Sequence, residues 1–195
     1  SVSSAKTEFL ATRSIIRGTQ PASDGLYGQG LVARNGARAE LDHCLVDNNR
    51  TYGVAVAENG SELLVSNCQI SSTARGGGPL GDDSTDAPTY GGDGLFIFLA
   101  EGVVSSSFVA HNARTGILVR ESSATIEESL VFSNDSYGLA MMDCADQVQH
   151  SEGNNTIVSN ASEMAEGYRQ QITDSPGDMP VAPLPDAVKL VVEPE

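Results

Sequence analysis

The chain has 195 residues, with 26 acidic side chains against 11 basic ones and a net charge of −15. Such a surface repels nucleic acid and anionic membrane, and it takes anionic polysaccharide only through a local basic patch or a bound cation. No apolar run approaches the length that spans a bilayer, and three cysteines are too few for a disulfide scaffold.

The predicted elements are short strands that recur. Phe9 and Ala11 are already in phase with the repeat, and Ser14 and Ile16 form the next pair. With no signal peptide in this stretch, the opening points to a piece of a longer polypeptide. A short excursion from Gly18 to Gly28 precedes Gly30-Leu31-Val32-Ala33, a glycine followed by apolar alternation. The same grammar returns at Gly53-Val54-Ala55-Val56, Gly94-Leu95-Phe96-Ile97, Gly116-Ile117-Leu118-Val119 and Gly138-Leu139-Ala140-Met141. The spacings are 23, 41, 22 and 22 residues, and a fixed period of this size is the mark of stacked coils. The long gap contains an insertion, Ser71 to Asp93, whose Gly76-Gly77-Gly78-Pro79 and Gly81-Asp82-Asp83 cannot continue a strand. Asn49/Gly53, Asn112/Gly116 and Asn134/Gly138 share an Asn-x-x-x-Gly spacing, read as a tight turn because both residues tolerate left-handed backbone angles.

Laid over one another, the coils form columns: Leu31, Val54, Leu95, Ile117 and Leu139; then Ala33, Val56, Ile97, Val119 and Met141; then Ile16, Val46, Ile70, Val109, Val131 and Val158. A column of small residues precedes the last of these: Ser14, Cys44, Cys68, Ser107, Ser129 and Thr156. Coils spaced about 4.8 Å apart turn such columns into continuous interior ladders. Pro176 to Glu195 holds five of the eight prolines and no repeat, and reads as a linker or as a strap carrying Val188, Leu190, Val191 and Val192.

This grammar resembles the right-handed parallel β-helix of the pectate-lyase-like type, over roughly residues 5–165. The resemblance implies an all-β, single-stranded solenoid of about five to six coils with a long inserted loop. The organisation expected is repeats over 1–165, a loop insertion at 71–93 and a tail or strap at 166–195. The family holds polysaccharide lyases, glycoside hydrolases, phage tailspikes and adhesins, so it leaves the activity open.

The third strand of each coil attracts attention because its outward positions are apolar: Val32, Ala55, Phe96, Leu118 and Ala140, then Arg34, Ala57, Phe98, Arg120 and Met142. So large an apolar run needs a cover, whether the inserted loop, the tail, another subunit or sugar rings. Phe96, Phe98, Arg120, Arg34 and Tyr90 are the ligand-binding candidates. In β-helix lyases the corresponding face carries aspartates that hold calcium and an arginine that acts as base. Here the carboxylates are missing from the strand positions and Arg120 is the arginine candidate, while Asp93 with an acid of the loop is the candidate for the paired carboxylates of a glycoside hydrolase. Asp82, Asp83 and Asp86 are candidate calcium ligands on the loop, calcium being a hard cation that takes six to eight oxygens.

Cys44 and Cys68 share a column on adjacent coils, which suits either two buried thiols or a disulfide; Cys144 reads as buried and inert. His43, His111 and His150 share no metal spacing. Asn59, Asn134, Asn154 and Asn160 stand in glycosylation-type tripeptides that turns rich in Asn and Ser also produce. Two lysines against nine arginines hint at a GC-rich genome, and the source expected is bacterial. The function expected is an exported, extracellular or cell-surface module that contacts carbohydrate or protein. Self-association through the third-strand face or the solenoid ends is a further expectation. The rival is a carbohydrate-active enzyme, a lyase or hydrolase.

Overall fold

The computed structural model describes residues 7–20, 28–75, 91–144, 148–150, 155–158, 160 and 170–173. The first coil contains β1 (Glu8–Thr12), β2 (Ile15–Arg17) and β3 (Leu31–Arg34), the second β4 (Arg38–Asp42), β5 (Leu45–Asp47) and β6 (Tyr52–Ala57). The third has β7 (Glu62–Ser66), β8 (Gln69–Ser71) and β9 (Asp93–Phe98), the fourth β10 (Glu101–Ser105), β11 (Phe108–Ala110) and β12 (Ile117–Arg120). The fifth has β13 (Ser123–Glu127), β14 (Leu130–Phe132) and β15 (Leu139–Met142), and β16 (Val148–His150), β17 (Thr156–Val158) and β18 (Gln170–Thr173) follow. Every third strand is hydrogen-bonded to the next, which makes three six-stranded sheets. All pairings are parallel except β15 with β18.

The core is the interior of this triangular tube. Leu41, Val65, Val104 and Ile126 stack from the first sheet. Val46, Ile70, Val109 and Val131 stack from the second, and Val54, Leu95, Ile117 and Leu139 from the third. All are at most 1% exposed, and fully burying each such side chain contributes roughly 1.5–3 kcal/mol before the cost of ordering it. The interior columns read from the sequence hold as far as Val131. There the register differs by one: Val131 faces Ile157, not Val158, and Leu130 faces Thr156. The small-residue column accordingly ends on Asn155, whose Oδ1 accepts the Ser129 N–H at 2.9 Å.

The turn chemistry also differs from the expectation. Left-handed backbone falls at three corners per coil, two residues past the last inward side chain of each strand. One corner is formed by Arg13, His43, Asn67, Ser106 and Glu128, another by Asn48, Ser72, His111 and Ser133, and the third by Asn35, Glu58, Leu99, Glu121 and Asp143. Few are Asn, and one glycine, Gly18, takes the equivalent corner of the first coil. Each such non-glycine residue costs on the order of 1 kcal/mol, yet at most of these corners the N–H still bonds to the next coil, as from His43 to Ser66 O at 3.1 Å and Leu99 to Arg120 O at 3.2 Å. That bond offsets a comparable amount.

The Asn-x-x-x-Gly residues have another task. Asn112 and Asn134 are buried, and their side chains form a ladder: Asn134 Oδ1 accepts the Asn112 N–H at 3.1 Å and its amide Nδ2–H at 2.9 Å. Asn160 serves Asn134 in the same way. Gly116 has no positive φ; it makes room, since a Cβ there would lie 2.8 Å from Asn134 Nδ2. Asn134 and Asn160 therefore commit their amides to the ladder.

The chain stays on the coil beyond β8 as far as Arg75: Ala74 N–H bonds to Asn49 O at 2.8 Å, and Arg75 Nε–H to Ala113 O at 2.8 Å. The rest of the 71–93 insertion up to Tyr90, and nearly all of the 166–195 segment, lie outside the described residues.

Candidate functional site

The outward side of the third sheet is closed over much of its area. Tyr52, Ala55, Phe96, Leu118, Tyr137, Ala140 and Met142 form a second buried cluster outside the tube. Tyr52 and Phe96 stack at 4.9 Å, and Phe96 and Phe98 at 6.0 Å. Burial first, and the nearby Asp93 carboxylate second, push the Tyr52 hydroxyl up to about 12. Phe96 is only 7% exposed and offers a ligand almost no ring face. Phe98 is partly buried, with the Arg120 guanidinium 5.2 Å above its ring. The Arg120 Nε–H also reaches Glu121 at 3.1 Å.

Asp93 is completely buried at the start of β9. Both of its oxygens are held by Arg114, and Oδ1 also accepts the Thr115 N–H at 3.1 Å. A carboxylate bound on both oxygens by a guanidinium is a structural anchor rather than a free acid or base. Arg120 faces Phe98 in the register, at the far end of β9 from Asp93. Five residues of strand separate the two positions, roughly 17 Å at about 3.3 Å per residue, so the two catalytic candidates do not share a site. Arg34 lies exposed on the first coil, three coils from Arg120 in the same column. Tyr90 and the loop acids Asp82, Asp83 and Asp86 fall outside the described residues. Among the described residues no cluster of three or more metal-ligating side chains is present.

The small-residue column is an interior hydrogen-bond ladder in which cysteine stands in for serine. Ser107 Oγ accepts the Cys68 N–H at 3.1 Å and donates to Ser105 O at 2.7 Å. Cys68 Sγ repeats this one coil earlier, accepting the Cys44 N–H at 3.3 Å and lying 3.0 Å from Ser66 O. All three cysteines are free and buried. Burial pushes the Cys68 thiol up to about 12, which removes it from nucleophilic chemistry.

An open depression lies on a face the sequence reading passed over, the outside of the first sheet. It has a volume of about 310 Å³ and runs across β7, β10, β13 and β16. Inward residues alternate with its walls, so the strand period itself presents two rows outward. Glu62, Glu101 and Ser123 face one another in one row, and Leu64, Val103, Thr125 and Gln149 in the next. Val103 is 42% exposed. Arg38 extends the first row; it bonds Glu40 at 3.1 Å and approaches Glu62 at 3.6 Å. The register neighbours of Glu101 are Glu62 and Ser123, so it has no basic neighbour in its row. The signal that finds this face is Leu64 and Val103 at outward positions of their strands, less conspicuous than Phe96 and Phe98.

A family model described as the right-handed beta helix region matches residues 5–175. Neither a curated protein nor a solved structure matches the chain. Three parallel sheets, a tube-shaped core and this match over most of the length agree: the chain belongs to the right-handed β-helix family.

Proposed function

We propose that this β-helix is a recognition module of an exported or cell-surface protein, and that it binds an extended chain of neutral or cationic sugars along the outer face of its first sheet. The observation that carries the reading is the open depression. Its hydrogen-bonding groups Glu62, Glu101, Ser123, Thr125 and Gln149 are spaced by a rigid repeat and flank the apolar Leu64 and Val103. A few fixed polar groups around an apolar floor suit binding with a defined orientation. The two carboxylates and the net charge of −15 disfavour an anionic glycan. The engagement of Asp93 by Arg114 and its distance from Arg120 weigh against lyase chemistry at the third sheet.

The test is retention on columns of immobilised neutral and amino-sugar polysaccharides, with product analysis of the eluate. The parent should be retained and release no product. Glu101→Ala should weaken retention about tenfold, the loss of roughly one charged hydrogen bond, with unchanged melting. Retention that is indifferent to Glu101→Ala and Val103→Glu would move the site elsewhere, and released oligosaccharides would replace recognition with catalysis.

A further inference from the structure

Asparagine is followed directly by glycine twice in the chain, at Asn35-Gly36 and Asn59-Gly60. Both pairs lie at the corner between the third and first sheets, after β3 and β6, and they are stacked: a Cβ on Gly60 would lie 3.8 Å from Gly36 Cα. A glycine after asparagine leaves its own backbone nitrogen unshielded, because no side chain stands between that nitrogen and the neighbouring carboxamide. The fold treats the two pairs differently. The Gly36 N–H donates to Ser61 Oγ at 3.0 Å, and the Asn35 N–H donates to Glu58 Oε2 at 2.9 Å. Asn59 and Gly60 are exposed, in a turn closed by the Ser61 N–H bonding to Glu58 O at 3.1 Å. Among the described residues neither the Gly60 N–H nor the Asn59 carboxamide has a hydrogen-bond partner. Gly60 has a φ of +80°, and glycine moves out of that region without strain.

We propose that Asn59 is a site of spontaneous deamidation, and that Asn35 is protected from the same reaction by the turn of the next coil. The Gly60 nitrogen loses its proton to a base of the solvent and attacks Asn59 Cγ. The bond from Cγ to the amide nitrogen breaks, and ammonia leaves with a proton from water, which closes a cyclic succinimide. Water then adds to one of the two ring carbonyls and opens it to an aspartate or an isoaspartate. The net change is one water consumed and one ammonia released. At Asn35 the same attack first requires the Gly36 N–H to leave Ser61 Oγ.

The change falls on a contact between coils. Isoaspartate lengthens the backbone of the turn by one methylene, and both ends of that turn hold the first coil, Glu58 through Asn35 and Ser61 through Gly36. Ser61 is fully buried and β7 begins directly after it, so the longer backbone has a fixed end to work against. Either product also adds a carboxylate next to Glu58. The inference does not depend on the glycan reading.

The test is incubation of the folded 195-residue chain in mildly alkaline buffer, then tryptic digestion, mass spectrometry and enzymatic detection of isoaspartate. Cleavage after Arg34, Arg38, Arg50 and Arg75 puts Asn35 and Asn59 on different peptides, and fragment ions separate Asn59 from Asn67. Asn59 should gain the mass of an amide-to-acid change and score as isoaspartate. It should convert roughly fivefold faster than Asn35, the ratio set by one hydrogen bond. In urea the two should convert at similar rates. Ser61→Ala should bring Asn35 conversion up toward that of Asn59, and Asn59→Gln should remove the signal from its peptide. An Asn59 that stays an amide in the folded chain while it converts in urea would overturn the proposal. So would an Asn35 that converts as fast as Asn59 in the folded parent.

Discussion

Gly116 sits beneath Asn134 of the following coil: a Cβ on the glycine would stand 2.8 Å from the asparagine Nδ2 and 2.6 Å from Val131 Cγ1. The same relation pairs Gly94 with Asn112 and Gly138 with Asn160. The glycine column is thus the negative imprint of the asparagine ladder.

Gly116→Ala should therefore destabilise the stack. The added methyl meets buried atoms of the next coil that have little freedom to move, a conflict worth about 1–3 kcal/mol. Urea unfolding with a lower midpoint and an unchanged slope is the expected result. Parental stability would mean that the coils slide to make room.

At one coil the ladder is broken. Thr73 occupies the asparagine position above Gly53; its N–H bonds to Asn112 Oδ1 at 3.1 Å, while its own buried Oγ1 has no hydrogen-bond partner. Thr73→Asn should complete the ladder and remove an unsatisfied hydroxyl, a gain of about 1 kcal/mol. Calorimetry should then show a melting temperature higher by about 2–4 °C.

Cys68 distinguishes packing from hydrogen bonding. Cys68→Ser should cost less than about 1 kcal/mol, because serine makes the same two contacts at position 107. Cys68→Ala should cost about 1–2 kcal/mol more by stripping the buried Cys44 N–H of its acceptor. The raised Cys68 thiol predicts no labelling by a maleimide in the native state. Full labelling should follow denaturation.

Asp42 lends the stack a pH dependence. Burial works to raise its carboxyl, but His43, with Nδ1 at 2.8 Å, the Asn67 amide at 3.1 Å and the Ser66 hydroxyl at 2.8 Å outweigh it and hold the group below its usual value. A depressed carboxyl stabilises the fold above its unfolded value, about 3.9. That contribution is lost as the pH falls through the lower folded value. Asp42→Asn should be less stable than the parent at neutral pH, and the two melting curves should converge below about pH 4. A gap that persists in acid would assign the effect to packing.

The architecture was legible because it rests on periodicity. The glycines at 94, 116 and 138 and the alternation of Leu95 with Ile97, or Ile117 with Val119, recur every coil, and only stacking can bury such columns. The register past Val131 was not legible, because Asn155 and Ile157 could trade places with Thr156 and Val158 without disturbing the alternation. Backbone pairing alone separates the two. The left-handed corners were hidden for a similar reason. Leu99 and Glu121 carry no local preference for that conformation and adopt it because the next coil takes up their N–H groups.

The candidate site divides along the same line. Composition and alternation by themselves determined an acidic β-solenoid with an apolar interior and apolar residues on the outside of its third sheet. Only the tertiary structure decided that Phe96 is buried in a second cluster, that Asp93 is bound by Arg114, and that the open face belongs to Glu62, Leu64, Glu101 and Val103. The physical reason is reach. A repeat states which side of its own strand a residue faces, whereas burial and ion pairing depend on what other segments of the chain place against that side.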